Sequence, residues 1–187
     1  KSAMGNEIQD ALKGTAAATL AAYDQNTGDY IQASNGDIWK GSYNVSKSES
    51  LVDGIKRNTG MDVTFFYGSQ RVMTSAVDKN GDRLLGSPAG DTVIDKVLNN
   101  GQNYFSKNVS LDGTINYGYF MPVYQNGSTD EIIGMVFVGT DKQEKDMVIN
   151  QIIWSLSAAV FAVMIVCMIV GMKFASSISK NIRTSIN

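Results

Sequence analysis

Residues 152–172, IIWSLSAAVFAVMIVCMIVGM, hold no charged side chain. At 1.5 Å per residue a helix of this length reaches about 31 Å, the thickness of a bilayer's hydrocarbon core. A buried helix of a water-soluble protein this long shows a polar stripe. Here only Ser155 and Ser157, near the start, interrupt the apolar run. The segment is therefore predicted to cross a membrane, with Trp154 as an interfacial anchor and Cys167 as a small apolar packing residue. Lys173, Lys180 and Arg183 follow with no acidic residue, whereas the preceding DKQEKD is balanced. That asymmetry puts the C-terminus in the cytoplasm and the residues before the helix outside. An outside domain needs export, so a first membrane helix is expected upstream, with Lys1–Ala3 either native or left over from expression.

Composition narrows the chemistry of the outer part. The chain has 187 residues and a formal charge of −2, with no basic excess that would favour nucleic acid. There is no histidine, and Cys167 is the sole cysteine. That removes Ser-His-Asp and Cys-His nucleophiles, the usual zinc sites and any disulfide within the chain. DKNGD at 78–82 resembles the start of a calcium loop but lacks the closing glutamate, and a hairpin turn at Asn80-Gly81 explains it. No glycine-rich phosphate loop is present. No catalytic residue, metal or cofactor is expected.

Periodicity orders the rest. Met4, Ile8, Leu12 and Ala16 recur every four residues, predicting a helix over 4–23. Residues 24–48 are rich in Gly, Asn, Asp and Ser and read as loop with short strands. Ser48 is placed to cap a helix from Glu49, and Gly60 to end it. From Met61 the period becomes two: DVTFFY and QRVMTS read as strands joined at Gly68-Ser69. Residues 91–101 return to helical spacing. Three strands follow, joined at Asp112-Gly113 and across Asn126-Gly127. Strands clustered in this way predict an α+β fold with an antiparallel sheet. INYGYFMPV, 115–123, is apolar or aromatic in both registers, so both sheet faces must be covered. The first helix is expected on one face, the 24–60 segment and the 91–101 helix on the other. A small molecule fits a sheet face roofed by loops, where tyrosines offer an apolar body and a hydrogen-bonding tip.

LVDGIKRNTGMDVTFFYGSQRVMTSAVDKNGDRLLGS, KVLNNGQNYF and GYFMPVYQNGSTDEIIGMVFVG together resemble the single Cache sensor domain of bacterial methyl-accepting chemotaxis receptors. The likeness covers about residues 30–140. FASSISKNIRTSIN resembles the start of a HAMP linker, with Asn181 where a proline is common. The resemblance implies a PAS-like antiparallel sheet with a long N-terminal helix and one pocket over the sheet. It implies a signalling helix at 1–23, a ligand-binding domain at 24–146, a membrane helix at 150–173 and a HAMP start at 174–187. It further implies a parallel homodimer in a bacterial cell membrane. A small ligand, favoured to be an organic acid, would shift the last strand and the membrane helix, and a cytoplasmic module in the same chain would read the shift.

Several residues are candidates for the ligand site. The guanidinium of Arg71 suits a carboxylate clamp, or else is solvated on its strand or pairs with Asp62. Thr74, three residues on, shares the face of Arg71 only if the strand twists or bulges. Arg83 follows a turn, where a structural ion pair is favoured over ligand contact. Tyr117 and Tyr119 line either the core or the pocket. Phe66 and Tyr67 cannot both face it, and Phe66 is the candidate. A chemoreceptor is the leading reading, and the same input on a histidine kinase or a cyclase is the alternative. A membrane-anchored hydrolase is disfavoured by the missing histidines and acidic pair, and an adhesin by the lack of repeats.

Overall fold

The computed structural model describes residues 3–184, with side chains over 5–175. Alanine-rich and free of proline, the first segment forms α1 (Ala3–Asp24). Its inward side carries Leu12, Ala16 and Tyr23, all fully buried, flanked by Ile8 and Leu20. Ala11, Gly14, Ala17 and Ala18 are exposed. A three-stranded meander follows: β1 (Tyr30–Gln32), β2 (Ile38–Lys40) and β3 (Tyr43–Asn44). The Gln125 side chain ties it down as a strand would. It accepts from the Tyr30 backbone N–H at 2.7 Å and donates to the Tyr30 carbonyl at 3.0 Å.

Helix α2 (Glu49–Thr59) comes next and ends at Gly60 in the left-handed conformation, φ 70°. Ser48 sits at its N-cap position but does not cap it. Its hydroxyl bonds the Val45 carbonyl and the Tyr23 hydroxyl, each at 2.7 Å, because a phenol buried in the core needs a partner more than an exposed helix end does.

The main sheet consists of β4 (Asp62–Tyr67), β5 (Gln70–Thr74), β6 (Tyr104–Leu111), β7 (Thr114–Tyr124) and β8 (Ile132–Asp141). Its spatial order is β5-β4-β8-β7-β6, and every pairing is antiparallel. Between β5 and β6 the chain forms a short helix, α3 (Asp91–Val93), that continues as a π-helical stretch (Ile94–Asn99). The architecture is the expected α+β fold.

One expectation about coverage is corrected. The 24–60 segment lies on the same sheet face as α1, not on the opposite one. Tyr30, Ile38, Val45 and Val52 join Leu12, Ala16 and Tyr23 in a single cluster with Val63, Phe65, Val136 and Val138 of the sheet. Ring packing explains this: Phe65 lies 4.9 Å from the Tyr23 ring and 5.6 Å from the Tyr30 ring. Among the described residues, the 84–98 segment covers the opposite face, through Leu84, Ala89, Val93, Val97 and Leu98.

This compact unit extends to Gln143, and a second begins at Glu144. The second belongs to α4 (Lys142–Thr184), which contains the one helical span among the described residues long and apolar enough to cross a membrane. The HAMP-like stretch continues this helix to Thr184. Residues 185–187 lie outside the described residues, as do Lys1 and Ser2.

Candidate ligand cavity

Strand register determines which residues meet on the face away from α1. Thr74, Thr64, Phe137, Phe120 and Tyr104 form one cross-strand row. Arg71, Phe66, Met135 and Pro122 form the next. Both rows reach β5 because β5 carries a bulge: Met73 pairs with Phe65 and Arg71 with Phe66, leaving Val72 as the extra residue. Val72 and Met73 both pack toward α1. Arg71 and Thr74, three apart, thereby come to the same face.

Over these rows lies a cavity of about 330 Å³. Phe66, Tyr104, Val109 and Phe120 wall it, Ser106 adds a hydroxyl, and Pro88–Gly90 with Val93 form the roof. The floor depends on a glycine. A Cβ on Gly118 would stand 2.6 Å from the Phe137 ring and 2.7 Å from Val109, so only glycine leaves room for that ring, which packs tilted against Phe120 at 4.8 Å.

Arg71 is the cavity's charged residue. Its guanidinium lies 5.4 Å from the Phe66 ring centroid, and Nη1 donates to the Leu84 carbonyl at 3.1 Å. Nε is buried without a partner, and no carboxylate pairs with the group among the described residues. Burial pushes its pKa below the ordinary arginine value. Backbone bonds from Arg71 N–H to the Ser87 carbonyl and from Gly86 N–H to the Arg71 carbonyl fasten the roof segment to this strand.

The other candidates fall in different places. Asp62, the alternative partner of Arg71, pairs instead with Lys56 at 2.8 Å. Thr74 is wholly buried beneath the cavity, its hydroxyl bonded to Thr64 at 2.7 Å. Arg83 grips Asp53 of α2 through two bonds of 2.8 and 2.7 Å and donates to the Thr74 carbonyl. This hydrogen bonding holds the Asp53 carboxyl below its usual range and raises the arginine. Tyr117 and Tyr119 do not line the cavity. They stand on the α1 face, where Tyr119 shares a row with Val138 and Val63, and Tyr117 stacks on Phe105 at 6.3 Å. Tyr104, Ser106 and Phe120 were missed; their parity could be traced from Phe66 only through the register of four strands.

A second cavity, about 300 Å³, lies between the end of α1 and the β7–β8 turn. Buried Lys40 reaches into it, but its ammonium is engaged by the Tyr30 ring at 4.4 Å, the Gly28 carbonyl at 3.3 Å and Asp24 at 3.7 Å. These contacts staple the meander to α1. Among the described residues no group of three potential ligands could hold a metal ion.

Residues 43–152, more than half of the chain, match the family described as single cache domain 3. The chain belongs to this Cache family. It is therefore an extracellular ligand-sensing domain type joined to a candidate membrane helix. The Cache domain is also similar in fold to an extracellular ligand binding receptor from Desulfohalobium retbaense DSM5692, with a TM-score of 0.50 and 17% identity. That alignment covers 73% of this chain and 23% of the receptor, so the chain spans about a quarter of its relative's length. No curated protein matches the chain.

Proposed function

We propose that this Cache domain is the sensor of a transmembrane chemoreceptor and that it binds a small organic anion in the cavity beside Arg71. One observation carries the reading: a largely buried guanidinium with no carboxylate partner among the described residues faces a cavity large enough for a metabolite. Leaving a charge buried and unpaired is costly, and a carboxylate in the cavity would supply the missing counter-charge. No catalysis is expected. A thermal-shift screen of the chain in detergent tests the reading, because a ligand that binds only the folded state raises its stability. Small carboxylates should raise the melting temperature, and amines should not. Stabilisation by amines alone would overturn it.

The signal would leave through β8. This strand is central in the sheet, places Met135 and Phe137 on the cavity face, and ends at Asp141, one residue before α4 begins. Lys142 lies 5.7 Å from the Tyr117 ring centroid, a contact between β7 and the first residue of that helix. A ligand shifts the signalling equilibrium only by its different affinity for the two states. In a parallel homodimer, α1 would meet its copy through Ala11, Gly14 and Ala18, since Leu12 is spent on the sheet. Single cysteines at Ala11 and Ala18 in the full receptor, with Cys167 replaced, should crosslink in membranes. Crosslinking rates at positions just before Trp154 should change when ligand is added. Constant rates at saturation would exclude the route through β8.

A further inference from the structure

The lining of the cavity specifies more than an anion. Of the described residues that form it, Arg71 alone carries a charge. An ammonium group entering the cavity would be desolvated without a counter-charge and repelled by the guanidinium. A second carboxylate would meet only neutral lining side chains, the hydroxyls of Thr92, Ser106 and Ser110 and the amide of Asn108. The charge complement is therefore a single negative group.

Three aromatic rings, those of Phe66, Tyr104 and Phe120, make up one part of the wall, beside the polar side chains of Thr92, Asn108 and Ser110. Phe66 carries the Arg71 guanidinium over its face. Phe120 is held between Tyr104, stacked at 6.3 Å with the ring planes 27° apart, and Phe137 at 4.8 Å. These rings are fixed by their neighbours and by the bare Gly118 floor, so the cavity cannot reshape freely around a flexible chain. A carboxylate docked on Arg71 would direct its carbon body along Phe66 toward Phe120 and Tyr104. Flat rings gain most from such walls, through offset or edge-to-face contact.

We infer that the ligand is an amine-free monocarboxylate whose body is a flat aromatic ring. This rests on the reading that Arg71 binds an anion, and the experiment separates the two. Calorimetry on the 187-residue chain in lipid nanodiscs would compare 3-phenylpropanoate, phenylalanine, acetate and succinate. Phenylalanine differs from 3-phenylpropanoate only by its ammonium. The expected order puts 3-phenylpropanoate at least about tenfold tighter than each of the others, tenfold corresponding to about 1.4 kcal/mol. Phe120→Leu should erase most of its advantage over acetate. Tyr104→Leu, at a half-buried position, should act in the same direction and guards against misfolding of the first variant. Equal or tighter binding of acetate or succinate, lost on Arg71→Met, would overturn the ring class and leave the anion site standing. Equal binding of phenylalanine would overturn the exclusion of amines. Absence of binding by all four acids would overturn both this inference and the reading beneath it.

Discussion

Phe65 and Phe66 are neighbours on one strand and point into two different environments. Phe65 is sealed between Tyr23 and Tyr30 on the face covered by α1, the meander and α2. Phe66 faces a cavity under a thin roof and carries an unpaired guanidinium. The first face is closely packed around Phe65, though the Tyr30 hydroxyl there is buried without a partner; the second keeps space and a guanidinium with no carboxylate partner among the described residues. On the proposed reading the two sheet faces divide the work, one supplying folding stability and the other recognition. The split follows from where the covering segments pack rather than from any difference in the strands' own hydrophobicity.

The largest effect should come from breaking the filled face. Phe65→Ala should destabilise by about 3–5 kcal/mol, since the vacated volume is enclosed on all sides. Phe66→Ala should cost about 2 kcal/mol, because a wall already bordering empty space forfeits fewer contacts. Chemical denaturation of the chain in detergent, followed by circular dichroism, measures both. Equal losses would mean that the two faces are packed alike.

A smaller effect tests the floor. Gly118→Ala drives a methyl against Phe137 and Val109 and should destabilise by about 1–3 kcal/mol, with ring and valine displaced toward the cavity. Ligand affinity should fall with it. A neutral result in both measurements would mean that the floor is softer than its geometry implies.

The smallest concerns Arg83 and Asp53, which link the roof segment to α2. Asp53 has a lowered pKa in the folded state, chiefly through its hydrogen bond to Arg83. Its contribution is therefore complete above the unfolded carboxylate value, near 4, and is lost as pH falls through the lower folded value. Both side chains are partly solvated, so the pair is worth about 1 kcal/mol or less. Asp53→Asn should lower the melting point slightly at pH 7 and remove part of its decline below about pH 4. An unchanged acid profile would assign that decline to other carboxylates.

Much of the fold could be read from the chain. Helical spacing in 4–23, period-two runs from Met61 and the turns at Gly68-Ser69 and Asp112-Gly113 each correspond to an observed element. The site was legible only in part. Arg71 and Phe66 stand out as residue types, and Thr74 was tied to a bulge that the structure contains. Tyr117 and Tyr119 were ambiguous because their strand is apolar or aromatic in both registers. Their face is fixed by non-local pairing with Val138 and Val63, which no local pattern encodes. The bulge between Ser106 and Val109 conceals the cavity side of β6 in the same way. Coverage by the 24–60 segment depended on the Tyr30–Phe65 stack, a contact between β1 and β4.

The account rests on Arg71 as the ligand's counter-charge, and one pair of measurements tests it directly. Arg71→Met keeps much of the side-chain volume and removes the charge. Thermal unfolding without ligand, then calorimetry with 3-phenylpropanoate and acetate, should be run on parent and variant alike. The variant should melt at the same temperature as the parent or higher, since it no longer buries an unpaired cation. Its affinity for both acids should fall by at least about thirtyfold, corresponding to 2 kcal/mol or more. Unchanged affinity in a variant that folds as well as the parent would contradict the account and move the site away from this cavity.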